Sequence, residues 1–139
     1  MVQLQHTLTV RAEGPGLQEV TAEIAAWLAD QQVRIGLLTI FIRHTSASIL
    51  IQENVAADVR HDLETFFDRL VPEDTSLYRH DDEGPDDMPA HIKGALTQTH
   101  LQIPVARSQL LLGRYQGIFL FEHRRNPRTR ELVLHLAGE

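Results

Sequence analysis

The first ten residues alternate between apolar and polar side chains, with Val, Leu, Leu and Val at positions 2, 4, 8 and 10. A period of two is typical of a strand with one buried face. Further β-branched, apolar or alternating runs predict strands at 35–42, 48–51, 101–105, 109–112, 114–123 and 131–137. Breaks in the pattern predict connections at Gly14-Pro15-Gly16, His44–Ala47, Arg107-Ser108 and Asn126-Pro127, the last of them as a hairpin turn.

Three other segments have the period of a helix. Apolar residues recur every three or four positions across 17–30. Asn54 is expected to cap a second helix that ends at Pro72. The apolar face of that helix is predicted to contain Val55, Val59, Leu63, Phe66, Phe67 and Leu70. Asp87 is expected to cap a short third helix. Strands interspersed with three helices predict an α+β fold with mainly antiparallel pairing.

Composition narrows the class of protein. A chain of 139 residues is expected to form one domain, 1–139. Its formal charge of −6 argues against binding to nucleic acid, which calls for a basic surface. The absence of cysteine excludes disulfides and thiolate metal sites. No apolar run approaches the ~20 residues of a membrane span, and the first residues lack the features of a signal peptide, so we expect no membrane partner and a cytoplasmic location.

Histidines and acids are concentrated in YRHDDEGPDDMPAHIK, residues 78–93. His80 and His91 enclose five acidic residues, and His44 lies in a second polar patch directly after an apolar run. Neutral imidazole is the commonest metal ligand in proteins, and a neighbouring acid can orient it. A metal site is one interpretation of the pattern. A solvated acidic loop beside a helix cap is the other.

Glu122 has an unusual place in the predicted strand 114–123. If Ile118 and Leu120 point into the core, the alternation directs Glu122 and Gln116 the same way. A carboxylate on a core-facing position is costly unless it is paired or liganded. Glu122 is therefore a candidate for chemistry, or else it forms a purely structural pair with an arginine such as Arg128 or Arg130.

The one basic cluster in this acidic chain consists of Arg124, Arg125, Arg128 and Arg130. Guanidinium groups match the geometry of phosphate, so the cluster favours a small anion as partner. Alternation places Arg128 and Arg130 on one side of their strand, where they could form a clamp, while Arg124 or Arg125 is expected to be solvated. A solvated turn is the alternative explanation of the cluster.

Three separated motifs resemble the YjbQ-like family of small conserved proteins. They are HTSASILIQEN at 44–54, the histidine-rich segment at 78–93, and LGRYQGIFLFEHRR at 112–125. The resemblance extends along essentially the whole chain. It implies a sandwich-like α+β subunit that assembles into a homotrimer.

The same resemblance implies a chemistry. It implies a divalent metal, with zinc as the first expectation, bound by His44, His80 and His91. It also implies a secondary thiamine phosphate synthase activity, in which hydroxymethylpyrimidine diphosphate and thiazole phosphate are joined and pyrophosphate is released. By the resemblance Glu122 and Gln116 are catalytic, and Tyr115, which replaces the family's usual tryptophan, lies at a substrate position together with Arg128 and Arg130. Two alternatives remain open: a metal-binding regulatory trimer with incidental catalysis, and a metal-dependent phosphate-ester hydrolase.

Overall fold

The computed structural model describes all 139 residues. Eight strands and three α-helices follow one another along the chain: β1 Val2–Ala12, β2 Gly16–Glu19, α1 Thr21–Ala29, β3 Ile35–Ile42, β4 Ala47–Glu53, α2 Ala57–Leu70, α3 Asp87–Leu96, β5 His100–Ala106, β6 Gln109–Leu110, β7 Gln116–Glu122 and β8 Arg128–Gly138. A single 3₁₀ turn at Thr75–Leu77 interrupts the long segment between α2 and α3. None of the helices is long and apolar enough to cross a lipid bilayer.

The strands form two antiparallel sheets. Five of them make a large sheet in the order β1-β8-β3-β5-β6, and three make a small sheet in the order β2-β7-β4. The inward side chains of both sheets meet in one hydrophobic core, which α1 completes with Ile24 and Leu28. Helix α2 lies over the opposite face of the small sheet, where Phe67 packs edge-on against Phe121 at 5.4 Å. The predicted α+β fold with mainly antiparallel sheets is confirmed.

Two of the connections that cross from one sheet to the other meet near one end of the sheets. The chain leaves β3 in the large sheet, passes through residues 43–46 and enters β4 in the small sheet. It returns from β7 in the small sheet to β8 in the large one through residues 123–127. The predicted hairpin at Asn126-Pro127 is therefore wrong, because β7 and β8 do not pair. The two crossings lie side by side, with the amide of His123 donating to the carbonyl of Ser46 at 3.3 Å.

The segment 17–19 is a strand rather than the start of a helix. Leu17 pairs with Phe121 in the small sheet, and α1 begins only at Thr21. Apolar residues at 17 and 20 match a helical period, but the free edge of β7 offers backbone partners that outweigh that local preference. Two predicted strands are longer than the observed ones. The strand predicted at 109–112 ends at Leu110, and the strand predicted at 114–123 runs only from Gln116 to Glu122.

The helix caps also differ from the predictions. Ala56 occupies the capping position of α2, and the Glu53 carboxylate accepts from the amides of Val55 and Ala56 instead. The side chain of Asn54 donates to Glu19 at 3.1 Å. The predicted apolar face of α2 is only partly covered, since Phe66 is 57% exposed. Helix α3 begins at Asp87 itself, which leaves the carboxylate of that residue free for other contacts.

Candidate active site

Helix α3 and the loop before it bring His80, Asp87 and His91 together. Asp87 and His91 stand one turn apart on the same face of the helix. The Asp87 Oδ2 atom lies 2.7 Å from Nε2 of His80 and 3.4 Å from Nε2 of His91. The two imidazole rings are 5.6 Å apart between centroids. Two nitrogens and one carboxylate oxygen thus lie within 4.8 Å of one another.

Arg124 holds this carboxylate from behind. Its Nη1 donates to Asp87 Oδ1 at 2.7 Å and its Nε donates to Asp86 Oδ2 at 3.0 Å, while its Nη2 donates to the carbonyl of Glu83. The amide of Arg125 donates to Asp86 as well. The side chain of Arg124 is therefore only 15% exposed and engaged at all three nitrogens, whereas the side chain of Arg125 is 60% exposed and pairs with Glu73.

These contacts control the protonation of the cluster. The hydrogen bond with Asp87 is the main cause that raises the pKa of His80 above its ordinary value. Burial opposes ionisation of Asp87, but the hydrogen bond with His80 and the charge of Arg124 together outweigh burial and lower the pKa of Asp87. Burial likewise opposes ionisation of Asp86, but the hydrogen bonds donated by Arg125 and Arg124 outweigh burial and lower the pKa of Asp86. Both carboxylates are consequently anionic at neutral pH.

The donor set suits a divalent metal. Two imidazoles and one carboxylate, with no thiolate, form the ligand set of many catalytic zinc sites, and the remaining coordination position is left to water or substrate. The contact of Asp87 with Arg124 orients the carboxylate in the way that outer partners orient metal ligands. His44 is not part of this group of approaching ligand atoms.

Glu122 forms a buried ion pair with Arg130. Nε of Arg130 donates to Glu122 Oε1 at 2.7 Å and Nη2 donates to Oε2 at 2.5 Å, and only 1% of Glu122 and 4% of Arg130 is exposed. Oε2 of Glu122 also accepts from the amides of His123 and Arg124, each at 3.0 Å. The inward carboxylate predicted from the alternation is present, and it has the arginine partner that the structural alternative required. In this arrangement Glu122 positions Arg130.

His44 lies between Arg130 and the histidine cluster. One cavity, of about 530 Å³, is lined by His44, Thr45, Thr99 and Arg130. A second cavity, of about 230 Å³, shares the first three of these residues and extends to His91. Burial first, and then the charge of Arg130, lowers the pKa of His44, so its imidazole is neutral. The predicted metal ligands His44 and His91 thus face one continuous region, without His44 joining the ligand group.

Three other predicted site residues lie apart from this region. Gln116 is at the far end of β7 from Glu122, roughly 20 Å away for six strand residues, and its side chain accepts from the amide of Gly113. Tyr115 is 54% exposed next to Gln116. Arg128 donates to the carbonyl of Asn126 and lines neither cavity, so the structure does not show the predicted clamp of Arg128 with Arg130.

Two contributors to the site were not predicted from the sequence. Asp87 was expected as a helix cap and as one of five acids that could orient a histidine, but not as a ligand, although its spacing of four from His91 is a signal that both share a helix face. Of Arg124 and Arg125, one was expected to be solvated, and the sequence did not indicate that Arg124 is the one that contacts the cluster. No local pattern could have placed it, because its partners Asp86 and Asp87 are 38 and 37 residues away in sequence.

Comparison with known proteins gives a consistent answer. The profile of the family described as "UPF0047 protein YjbQ-like" matches residues 6–139. A UPF0047 protein of Synechocystis is 49% identical over 99% of this chain and 93% of its own length, and the UPF0047 protein YjbQ of Escherichia coli O157:H7 is 47% identical over 97% and 98%. The crystal structure of a YbjQ-like protein of unknown function from Sulfolobus solfataricus covers 99% of this chain and 100% of its own, with a TM-score of 0.86 at 18% identity, which shows the same fold. The family resemblance is confirmed, and the chain belongs to the YjbQ-like UPF0047 family.

Proposed function

We propose that this protein is a metal-dependent enzyme that acts on a small phosphorylated metabolite. The ion is divalent, with zinc as the first candidate, and its ligands are His80, Asp87 and His91. One observation carries this proposal: two imidazole nitrogens converge on a single carboxylate oxygen, at 2.7 and 3.4 Å, in a chain without cysteine. A divalent ion would displace the protons that these imidazoles carry when no metal is bound.

The residues around the ligands have distinct tasks in the proposal. Arg124 and Asp86 keep the Asp87 carboxylate oriented and ionised. Glu122 holds Arg130 at the wall of the 530 Å³ cavity, where the guanidinium can bind an anionic substrate. This cavity shares His44, Thr45 and Thr99 with the smaller cavity that reaches His91. When bound, a divalent ion would act as a Lewis acid on a phosphoryl oxygen. The roles predicted for Gln116 and Tyr115 stay predictions, as does the cytoplasmic location.

The resemblance to the family favours a thiamine phosphate synthase type of reaction, in which a pyrimidine diphosphate condenses with a thiazole phosphate and releases pyrophosphate. Both substrates are phosphorylated, and the departing pyrophosphate accumulates negative charge. Cationic groups preorganised where that charge develops stabilise the transition state. Arg130 is already fixed in this way by its buried partner Glu122, so it needs no reorganisation during the reaction.

The metal site is tested by titrating zinc into metal-free protein. We expect one ion per chain in the parent, and a loss of zinc affinity of at least ~10-fold in His91→Ala, because a ligand contributes at least as much as the outer partners that orient it. His61→Ala is the matched control, since this histidine is exposed on α2 and pairs only with Asp62. Unchanged stoichiometry and affinity in a His80→Ala, His91→Ala double variant would place the metal elsewhere.

The reaction is tested on zinc-loaded protein with both thiamine precursors. Formation of thiamine phosphate together with pyrophosphate in the parent, and its loss in His91→Ala, is the expected result. Release of inorganic phosphate from either precursor alone would indicate the hydrolase. Tight binding of a metabolite with turnover far below ~1 s⁻¹ on every precursor would indicate the regulatory protein instead.

A further inference from the structure

The cavity of about 530 Å³ presents hydrogen-bond donors and cations without any carboxylate in its lining. Its polar side chains are Arg43, His44, Thr45, Ser46, Thr99 and Arg130. This is unusual in a chain of net charge −6, in which the smaller cavities beside Lys93 are lined by Asp68 together with glutamate. Arg43 and Arg130 are each paired with a glutamate outside this lining, Glu131 and Glu122. The recess itself presents hydrogen-bond donors and no carboxylate, which favours an oxyanion as ligand.

Arg130 retains donors for such a ligand despite its burial. Its Nε and Nη2 are engaged by Glu122 and by Ser46, whose carbonyl and hydroxyl oxygens accept at 3.1 and 2.9 Å. Its Nη1 makes no hydrogen bond and is not among the fully buried polar atoms that lack a partner, so this nitrogen keeps contact with solvent in a side chain that lines the recess. The ion pair with Glu122 therefore fixes the guanidinium group and leaves the two Nη1 hydrogens free to donate.

The proton of His44 can be located from its single hydrogen bond. The amide of Glu131 donates to His44 Nε2 at 2.8 Å. An amide can only donate, so Nε2 contributes its lone pair and carries no proton. A neutral imidazole has one N–H group, which must then be on Nδ1. His44 consequently has no lone pair free for a metal, and its Nδ1–H is a donor without a partner.

We propose that the recess binds a phosphoryl or diphosphoryl group of the ligand through Arg130 Nη1 and His44 Nδ1–H, and that His44 is an oxyanion donor and not a metal ligand. This inference rests on the proposed function for the identity of the ligand class. The second cavity, which His44, Thr45 and Thr99 share with His91, joins the anion subsite to the metal ligands. The recess thus holds the phosphate end of the substrate beside the metal.

A pair of conservative variants separates the two nitrogens of His44. Gln places its amide group where Nε2 was, so His44→Gln can still accept from the Glu131 amide but loses the Nδ1 donor. Asn places its amide nitrogen where Nδ1 was, so His44→Asn retains that donor. Pyrophosphate affinity, measured by calorimetry on zinc-loaded protein, is expected to fall at least ~10-fold in His44→Gln, the scale of a hydrogen bond to a charged group, and less than ~3-fold in His44→Asn. Zinc affinity is expected to stay within ~2-fold of the parent in both.

Loss of zinc affinity in both variants, with pyrophosphate binding unchanged, would overturn the assignment and make His44 a ligand. Equal pyrophosphate affinity in the parent and in His44→Gln would overturn it as well. The same titration on metal-free protein keeps this inference apart from the metal proposal. If the parent binds no zinc but His44→Gln still weakens pyrophosphate, the anion subsite stands and the metal site fails. Far-ultraviolet circular dichroism checks that both variants are folded. A variant that fails this check is replaced by Thr99→Val, which removes another donor of the recess. Thr99→Val is expected to lower the affinity for pyrophosphate but not the affinity for zinc.

Discussion

His123 is a buried histidine whose neighbours determine its tautomer. The hydroxyl of Thr97 donates to the carbonyl of Lys93 at 2.7 Å, so its hydrogen is committed. Ser48 must then donate to Thr97, with which it is in contact, and Nε2–H of His123 must donate to Ser48 at 2.9 Å. This leaves Nδ1 of His123 as a buried acceptor without a partner. The neutral form of His123 is therefore built into the native structure.

The free energy of unfolding is expected to depend on pH through this residue. Burial, followed by the charges of Lys93 and Arg130, lowers the pKa of His123 from 6.5 to about 3. Below pH 6.5 this histidine is protonated in the unfolded chain but stays neutral in the folded chain until the pH approaches about 3. Stability from this residue is thus complete above pH 6.5 and is lost as the pH falls towards about 3, by up to ~1.4 kcal/mol per unit.

Urea unfolding of the parent and of His123→Gln between pH 7 and pH 4 measures this effect. Gln can still donate to Ser48 but does not titrate, so the stability of the parent relative to the variant should decrease as the pH falls. Parallel curves over the whole range would show that His123 does not contribute to the acid sensitivity. Carboxylates common to both proteins cancel in the comparison.

At the scale of the elements, helix α3 is seated directly on the crossing between β3 and β4. A Cβ atom at Gly94 would lie 2.9 Å from the carbonyl oxygen of Thr45, closer than packed atoms approach. The absence of a side chain at this position lets the helix that carries Asp87 and His91 contact the segment that carries His44. This close approach contributes to the proximity of the proposed metal and anion subsites.

Gly94→Ala is expected to destabilise the protein by about 1–2 kcal/mol. Alanine favours a helix over glycine by about 1 kcal/mol, but overpacking against a backbone atom costs about 1–3 kcal/mol, and the displaced helix also loses contacts with β4. Gly113→Ala is the control, because a Cβ there meets only the flexible end of Gln116, at 3.2 Å. Thermal unfolding of both variants decides it. If Gly94→Ala is more stable than the parent, the segment between β3 and β4 must be able to move away from the new methyl group without a loss of stability.

At the scale of the whole molecule, the outer face of the large sheet has no covering layer. Its inner face is buried by the core, whereas Ile35, Leu37 and Phe41 on the central strand β3 are 51%, 38% and 47% exposed on the other side. Val133 and Ala137 of β8 flank them and are only half-buried. A central strand with apolar side chains on both faces is typical of a sheet that is covered on both.

We expect three copies of the chain to cover this face by forming a homotrimer. Light scattering should then give about 47 kDa for the parent, from three chains of 15.8 kDa each. Leu37→Asp should dissociate the assembly, because it places a charge in the buried contact. Leu70→Asp is the matched control, since Leu70 is 53% exposed on α2, away from the face. A particle of 15.8 kDa for the parent, or dissociation by the control alone, would contradict the expectation.

Local patterns in the chain are enough to predict most elements and part of the site. Alternation predicts β1 and most of β8, because a strand with one buried face must place its apolar residues two apart, and a continuous apolar, β-branched run predicts β3. The proximity of His80 and His91 can also be predicted from the sequence. Both lie in one short segment, in which a loop with Pro and Gly leads into the start of a helix. These features depend on residues close in sequence, and periodicity reports such residues directly.

The partners of those elements depend on the tertiary fold. Periodicity shows which face of a strand is apolar but not which sheet the strand joins. A hairpin between β7 and β8 was therefore predicted, although the two strands belong to different sheets. That assignment brings Arg130 to Ser46, 84 residues away, and Arg124 to Asp87. The proton position of His44 likewise depends on an amide 87 residues distant. Buried charges and lone pairs must find partners wherever packing places them, and only the folded chain determines which partners those are.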